Sequence, residues 1–208
     1  MKVAIIKYNA GNIYSIVHAI KRLGIDPVLT DNPEQLQSAD RVLFPGQGNA
    51  REAMDYLKAH RLDELIAGLK QPVLGICVGM QLLCRHSEEG DTDGIGIFDA
   101  EVKRFHPQRH EDKVPAMGWN EINMTPDSAE EGVLPSPLLK DIGTHPYMYF
   151  VHSFYVPKCE WTIATADYIL SYSAALHKDN FFACQFHPEK SGQAGEQILR
   201  NFLENSLD

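Results

Sequence analysis

Cys77 is the residue whose type and surroundings point most directly to chemistry. It lies between Gly75 and Gly79, after the apolar run 72–76 and before a further apolar segment. An apolar run of strand length followed by a helical pattern predicts a strand-to-helix turn, which flanking glycines allow to be sharp. A cysteine at such a turn faces unpaired N–H groups at the helix start, and these favour the thiolate. The pattern predicts a nucleophile, although a buried structural cysteine in a βα turn is equally compatible with it.

A cysteine nucleophile needs a base, and His187-Pro188-Glu189 offers a base together with a group to hold it. In extended backbone, residues i and i+2 point to the same side, so His187 and Glu189 are expected to face one cavity. His187 would accept the thiol proton, and Glu189 would fix the tautomer of the ring. Alone, the triplet is also typical of an ordinary strand end with a solvated glutamate.

The segment Pro45-Gly46-Gln47-Gly48 follows a predicted strand and is the third candidate. Two glycines around one residue let a peptide N–H turn toward the cysteine. That N–H and the N–H of Val78 would form an oxyanion hole. The segment also fits a tight turn before a helix. It does not fit a phosphate-binding loop, because G-K-[ST] is missing and a single residue separates the glycines.

Strands and helices that alternate in the first half must position these residues. We expect strands at 2–8, 28–30, 41–44 and 72–76, and helices at 13–23, 33–37, after Asn49 and at 62–69. Asn49 with Glu52 three residues later is typical of a capped helix start. Such alternation predicts a parallel sheet with the ligand site beyond the carboxyl ends of its strands. Segments 9–12 and 45–48 would end there together with Cys77.

The second half of the chain has a different residue pattern, which up to residue 186 is mostly typical of β-strands. A polar loop is expected at 87–94, a strand at 95–105, and a final helix from about 195 to 204 that Ser191 could cap. The predicted fold class is therefore α/β, with a mostly parallel, mixed sheet flanked by helices and a β-rich second half. We expect a single domain over residues 1–208, because no stretch reads as a linker.

Composition excludes several classes of function. The net charge is −9 and the Lys and Arg residues are scattered, so we expect no nucleic-acid partner and no membrane surface. The four cysteines lack C-x-x-C spacing and the nine histidines lack H-E-x-x-H, so no metal and no cofactor is expected. The first apolar run is too short for a signal peptide, which predicts a cytoplasmic protein with free thiols.

Three motifs taken in order resemble the class I (triad) glutamine amidotransferases: P-G-x-G at 45–48, G-I-C-x-G-x-Q at 75–81 and F-H-P-E at 186–189. M-G-W-N at 117–120 and F-V-H-S at 150–153 narrow the resemblance to the glutaminase subunits of imidazole glycerol phosphate synthase. The similarity runs from Lys2 nearly to the C-terminus. It implies the Rossmann-like fold of that family.

The resemblance also implies a reaction. Cys77 attacks the side-chain carboxamide of glutamine, ammonia leaves after protonation by His187, and water hydrolyses the glutamyl thioester to glutamate. Gln81 and Glu89 occupy positions that hold glutamine in the family. From the residues alone, Gln81 also fits a polar side chain satisfying its own helix, and Glu89 fits a solvated loop charge.

The backbone around Ser153 and Phe154 completes the glutamine site that the family implies. The chain departs from the family pattern here, because Phe154 replaces the usual tyrosine. It departs again at Gln47, where valine is usual, at Asn49, and at Lys7 and Asn9 in the first loop. Gln47 matters most, since ligand binding to the partner is expected to turn this peptide toward the oxyanion.

The implied partner is a TIM-barrel cyclase subunit, which forms a heterodimer with the glutaminase. The barrel conducts ammonia to a phosphoribosyl-formimino carboxamide ribotide in histidine biosynthesis, giving imidazole glycerol phosphate and an aminoimidazole carboxamide ribotide. By this analogy the docking face includes Asn12, Trp119, Asn120, Tyr149 and Lys190. Trp119 and Tyr149 suit interface anchors, although aromatic residues on strands more often belong to the core.

Three other functions fit the same residues. The chain would then be a glutaminase subunit of another amidotransferase, a stand-alone cysteine hydrolase of related fold, or a regulatory module in which Cys77 is merely buried. A depressed thiolate pKa and labelling of Cys77 by a glutamine analogue would fit an amidotransferase, an inert thiol would fit the regulatory module, and the hydrolase would act without a partner.

Overall fold

The computed structural model describes residues 1–9, 13–124 and 136–205. Its helices are α1 (Tyr14–Arg22), α2 (Pro33–Gln37), α3 (Ala50–Ala59), α4 (Leu62–Ala67), α5 (Val78–Leu83) and α6 (Gly192–Glu204). Its strands are β1 (Val3–Ile6), β2 (Val28–Thr30), β3 (Arg41–Gly46), β4 (Val73–Cys77), β5 (Cys84–Ser87), β6 (Thr92–Asp93), β7 (Phe98–Arg104), β8 (Ala116–Glu121), β9 (Asn123–Met124), β10 (Tyr147–His152), β11 (Phe154–Tyr155), β12 (Thr162–Tyr168), β13 (Leu170–Lys178) and β14 (Phe181–Cys184). Short 3-10 turns span Pro137–Leu139 and Pro188–Lys190.

An eight-stranded sheet in the order β2-β1-β3-β4-β14-β13-β12-β9 forms the centre of the fold. The strands from β2 to β14 in this order run parallel, and β13, β12 and β9 continue antiparallel. Two smaller sheets, β10-β8 and β11-β7-β5-β6, belong to the second half of the chain. The predicted α/β class with a mixed sheet and a β-rich second half is confirmed.

The order of the central strands decides which loops meet. β4 lies between β3 and β14, with Gly46 opposite Cys77 on one side and Cys184 opposite Ile76 on the other. All five residues of β4 are buried, as expected for a strand covered on both faces. The carboxyl ends of β3, β4 and β14 therefore lie side by side at one edge of the sheet.

Two local predictions about chain turns had different outcomes. Asn49 caps α3 as expected, because its side chain accepts hydrogen bonds from the N–H groups of Arg51 at 2.9 Å and Glu52 at 3.3 Å. The prediction of a polar loop over 87–94 is wrong in part, since Ser87 at the end of β5 pairs with Thr92 at the start of β6. Gly90 and Asp91 have positive φ angles of 68° and 49°, which lets this short segment close on itself.

Ser191 does not cap the last helix, and that prediction is wrong. Its backbone angles are φ −102° and ψ 27°, whereas a capping residue normally adopts the extended region. The hydroxyl instead donates to the carbonyl of His187 at 2.6 Å and accepts from the N–H of Tyr149 at 2.9 Å. Ser191 therefore ties β10 to the segment that carries His187.

Candidate active site

Cys77 occupies a strained turn between β4 and α5. Its φ of 54° and ψ of −110° are unfavourable for a residue with a side chain. Helix α5 begins at Val78, directly after Cys77 in the chain, so the Val78 N–H has no partner within the helix. Gly79 allows the tight packing beneath, because a Cβ there would overlap the carbonyl oxygen of Phe44. The predicted strand-to-helix turn at residues 75–79, called the elbow below, is therefore present and lies close to β3.

His187 and Glu189 are both buried, and Nδ1 of His187 lies 3.0 Å from Oε1 of Glu189. The carboxylate accepts from Nδ1–H, which leaves Nε2 for the proton of Cys77. The backbone is not extended through both residues as expected, because Pro188–Lys190 forms a 3-10 turn. The turn brings Glu189 back to the ring. The pairing was predicted correctly, but the conformation that produces it was not.

Burial by itself lowers the pKa of His187, but the interactions with Cys77 and Glu189 outweigh it and raise the pKa to about 9. Each of these neighbours favours the charged ring. The His187 ring is therefore charged over the neutral pH range and lies next to Cys77. A thiolate paired with such a ring is the reactive form of a cysteine nucleophile.

The resemblance to the class I glutamine amidotransferases implies glutamate release, and this activity is expected to fall as pH rises through about 9, where His187 loses its proton. The raised pKa means that the interactions of the charged ring are fully present below the ordinary value of 6.5 and are lost through about 9. Above that pH the ring cannot protonate the leaving ammonia. Initial rates at saturating glutamine, measured from neutral to strongly alkaline pH, check this.

Glu189→Gln serves as the comparison for that profile. It removes one of the two interactions that raise the pKa of His187, so its alkaline limb is expected at lower pH than in the wild type. An alkaline limb that stays in place in Glu189→Gln would contradict the proposed coupling of the two side chains.

A cavity of about 390 Å³ opens over the Cys77 sulfur. Cys77, Val78 and His187 line it, as do Gln47 and Gly48 from the loop after β3. Gly48 has a φ of +114°, a value that residues with a Cβ rarely adopt. Glycine therefore lets this peptide take an orientation that another residue would not allow. The loop expected to supply an oxyanion donor therefore reaches the cavity next to the nucleophile.

Tyr8 holds the beginning of this loop and was not predicted. Its buried hydroxyl donates to the carbonyl of Pro45 at 2.8 Å. A Cβ on Gly46 would collide with that hydroxyl and would come within 2.9 Å of the Val78 Cβ. Tyr8 on one side and Val78 on the other therefore hold the loop in place. No feature of the sequence distinguishes Tyr8 from the other aromatic residues of a strand end.

The glutamine-binding candidates also line the cavity, among them Gln81 and Glu89. Gln81 is buried and does not satisfy its own helix, since Nε2 donates to the Phe154 carbonyl at 3.3 Å and to Oε1 of Gln185 at 2.9 Å. Glu89 is not a freely solvated charge, because its Oε2 accepts from the N–H of Ala50 at 2.8 Å. Partial burial raises the pKa of Glu89. Both side chains are therefore held in place at the cavity.

Ser153 and Phe154 line the same cavity. His152, just before them, donates from Nδ1 to the Phe154 carbonyl at 2.6 Å, and its Nε2 lies 3.3 Å from the Tyr172 hydroxyl. Burial lowers the pKa of His152 to about 4, so the ring is neutral at pH 7. The His152 ring therefore holds the backbone of Phe154, which lines the cavity.

The proposed docking residues lie partly on one exposed face. Met117, Trp119 and Tyr147 are 67%, 57% and 55% exposed on the two-stranded sheet β8-β10. Tyr149 is paired with Trp119 across that sheet, and their ring centroids are 6.0 Å apart. A contiguous exposed aromatic face of this kind is typical of a contact surface. Neither ring belongs to the hydrophobic core.

The other three docking candidates differ from this pair. Lys190 lines the cavity itself. Asn120 alternates to the opposite face of β8, where its side chain donates to the Asp167 carbonyl at 3.0 Å. That bond assigns Asn120 an internal role instead of a place on the Trp119 face. Asn12 lies outside the described residues.

Gln185 and His152 are the buried polar residues of the site that sequence reasoning did not assign. Gln185 interrupts the apolar run 181–186 and is wholly buried. A polar side chain in the middle of a buried strand pattern needs a partner, and this signal was available in the sequence. His152, in the run 148–152, carries the same signal.

The described residues contain no group of three or more His, Cys, Asp or Glu side chains placed to hold a metal ion. In the same part of the chain, no helix is long and apolar enough to cross a membrane. The four cysteines are free thiols.

The family model of class I glutamine amidotransferases matches residues 4–206. An imidazole glycerol phosphate synthase subunit HisH from Bacteroides thetaiotaomicron is 60% identical over 98% of this chain and 100% of its own length. The subunit of the same name from Pectobacterium atrosepticum is 45% identical over 98% of this chain and 100% of its own.

A crystal structure of a glutamine amidotransferase superposes with a TM-score of 0.70 at 17% identity, covering 98% of both chains. At that identity the superposition shows the fold alone, and the fold agrees with the family match. The full-length matches, together with the elbow, the His187–Glu189 pair and the cavity that Cys77 and His187 line, establish that the chain belongs to the class I glutamine amidotransferase family, among its HisH-type members.

Proposed function

We propose that the chain is the glutaminase subunit of an imidazole glycerol phosphate synthase, acting as one domain over residues 1–208. It hydrolyses L-glutamine to L-glutamate and ammonia, and the ammonia passes to a TIM-barrel cyclase subunit in histidine biosynthesis. The observation that carries the proposal is the meeting of Cys77 and His187 at one cavity, with Glu189 bonded to the far nitrogen of the His187 ring. The 60% identity to a HisH subunit supports the choice of pathway.

In the proposed reaction the Cys77 thiolate attacks the carboxamide carbon of glutamine, and a C–S bond forms. The oxyanion that develops on the former carbonyl oxygen is received by the N–H of Val78 and by a peptide N–H of the loop carrying Gln47. His187 gives its proton to the amide nitrogen, the C–N bond breaks and ammonia leaves. Water then loses a proton to His187 and attacks the thioester, which releases glutamate and restores the thiolate.

The contacts of the cavity support the assignment of glutamine as substrate. The carboxylate of Glu89 suits the α-ammonium group, and Ser153 and Phe154 line the same cavity, where their backbone would meet the rest of the amino acid. Gln81 adds a fixed side-chain amide. A cavity of about 390 Å³ is large enough for an amino acid of this size.

A cyclase partner explains the exposed aromatic face. Ammonia released into water is protonated and lost as a nucleophile, so it needs an enclosed path from Cys77 to its acceptor. The face formed by Met117, Trp119, Tyr147 and Tyr149 lies on β8-β10, and the same strand β10 leads into the cavity lining at Val151. We place the docking site there, and we place the protein in the reducing cytoplasm that suits its four free cysteines.

The test is glutamate release by the chain alone, with an imidazole glycerol phosphate synthase cyclase subunit, and with that subunit and its ribotide ligand. We expect low activity for the chain alone and a rise of about 100-fold or more in the full complex. Binding of the cyclase and binding of its ligand are two steps, and a coupling of about 1–3 kcal/mol for each is typical of linked sites. Strong turnover that ignores the cyclase would favour the stand-alone hydrolase. Activation by a different synthase would favour another amidotransferase.

Trp119→Ala tests the docking face within the same assay. Loss of a large anchor is expected to weaken binding to the cyclase by about 2 kcal/mol, or roughly 30-fold in Kd, while basal glutamate release is unchanged. Val28→Ala is the matched control, since Val28 is an exposed apolar residue on the edge strand β2. If Trp119→Ala and Val28→Ala bind the cyclase equally well, the interface does not include Trp119 and lies elsewhere on the protein.

A further inference from the structure

Gln185 is a wholly buried amide directly after β14, two residues before His187. Its backbone N–H is used by the sheet, where it donates to the Ala174 carbonyl at 2.9 Å. The side chain points to the active site, because Nε2 lies 3.6 Å from the Cys77 sulfur. Its Oε1 accepts from Nε2 of Gln81 at 2.9 Å. One buried amide thus contacts both the nucleophile and a cavity side chain.

The direction of this chain of hydrogen bonds is fixed at its far end by a backbone carbonyl. The oxygen of Phe154 can only accept, so the group of Gln81 that faces it at 3.3 Å must be Nε2. The same Nε2 also faces Gln185, which must therefore present Oε1 to it. The remaining group, Nε2–H of Gln185, is then left to face the sulfur of Cys77. An inverted Gln185 would set two N–H groups against each other.

We propose that Gln185 is a further catalytic residue of the glutaminase reaction, which donates Nε2–H to the Cys77 sulfur and stabilises the thiolate before attack. The inference rests on the proposed function, since it requires Cys77 to be the nucleophile. A hydrogen bond to a charged acceptor is stronger than one to a neutral acceptor. The donor therefore favours the thiolate over the thiol, and its contribution decreases once the sulfur becomes part of the thioester.

The surroundings of the sulfur explain why a donor is needed. The Val151 carbonyl lies 3.8 Å from it and offers the thiol an acceptor, which favours the protonated form. The sulfur of Cys184 also has only a carbonyl near it among the contacts described, that of Phe186 at 3.5 Å, and burial holds the pKa of this thiol well above its usual range. Gln185 provides Cys77 with the opposite kind of partner.

The test compares Gln185→Glu, Gln185→Leu and the matched control Gln197→Leu, which removes an amide donor bonded to Asn201 on α6. Gln185→Glu keeps the volume and an acceptor for Gln81 but loses the donor to sulfur. Gln185→Leu loses both. The readout is the rate of Cys77 alkylation by iodoacetamide across pH, followed on the Cys77 peptide, with Cys77→Ala as the blank.

Both Gln185 variants are expected to alkylate about 10-fold more slowly at neutral pH, with a pH profile moved upward by about one unit. Glutamate release is expected to fall by about 10- to 100-fold. The effect in Gln185→Glu is expected to be at least as large as in Gln185→Leu, because a carboxylate next to sulfur opposes the thiolate. Gln197→Leu is expected to alkylate like the wild type.

Wild-type alkylation profiles in the folded Gln185 variants would overturn the inference and leave Gln185 a packing residue. Normal alkylation in Gln185→Glu alone would do the same, because that variant keeps the bond to Gln81. If Gln185→Leu fails to fold, the near-isosteric Gln185→Glu carries the test. A wild-type Cys77 no more reactive than the half-buried Cys159 would instead count against the proposed function, so the two failures are distinguishable.

Discussion

Cys77→Ala is expected to abolish glutamate release, with a loss of about 10⁴-fold or more in kcat. Without the sulfur no thioester forms, and His187 has no nucleophile to activate. The substitution removes one atom at a buried position, so the fold and the cavity should survive. Initial rates of glutamate formation in the cyclase complex measure the loss, and isothermal titration with glutamine checks that the variant still binds its substrate.

Cys159→Ala is the matched control, because it removes a half-buried thiol that lies next to Thr162 instead of the cavity. It is expected to keep wild-type activity within about twofold, as for a substitution away from the site. Residual activity of Cys77→Ala near a hundredth of the wild type would mean that a water molecule or another side chain attacks glutamine directly.

Gly79→Ala is expected to destabilise the protein by about 3 kcal/mol or more, enough to unfold much of the population. Helix propensity alone predicts the opposite, since alanine is favoured over glycine in a helix interior by about 1 kcal/mol. The tertiary contact decides the sign. The new Cβ would overlap the Phe44 carbonyl oxygen, which belongs to the central sheet and cannot rotate away. Urea unfolding followed by circular dichroism measures the change.

Gly68→Ala is the matched control for that experiment. Gly68 ends α4 with a φ of −87°, and a Cβ there would meet its nearest neighbours, the carbonyl oxygens of Glu64 and Leu65, at an ordinary 3.5 Å. The substitution is expected to be neutral or to stabilise by about 0.4–1 kcal/mol, through the unfolded state. Equal effects of the two substitutions would mean that α5 can move off β3 at little cost.

The sequence by itself determined the features that depend on neighbours along the chain. The apolar run before Cys77 and the helical pattern after it predicted the elbow, because a strand and a helix each have their own period. His187 and Glu189 were paired correctly because two residues so close in the chain reach one another in an extended strand or in the turn that forms. Asn49 was identified as a cap from its own side chain and the helix that follows.

Only the tertiary structure decided what depends on the order of strands. Periodicity indicates which face of a strand is buried, but pairing between distant segments determines which strand lies beside it. The position of β4 between β3 and β14 places the loop of Gly48 and the side chain of His187 at the same cavity as Cys77. The same non-local packing turned Asn120 away from the Trp119 face and directed Gln185 to the sulfur, because the partners of a buried polar group are chosen by the fold.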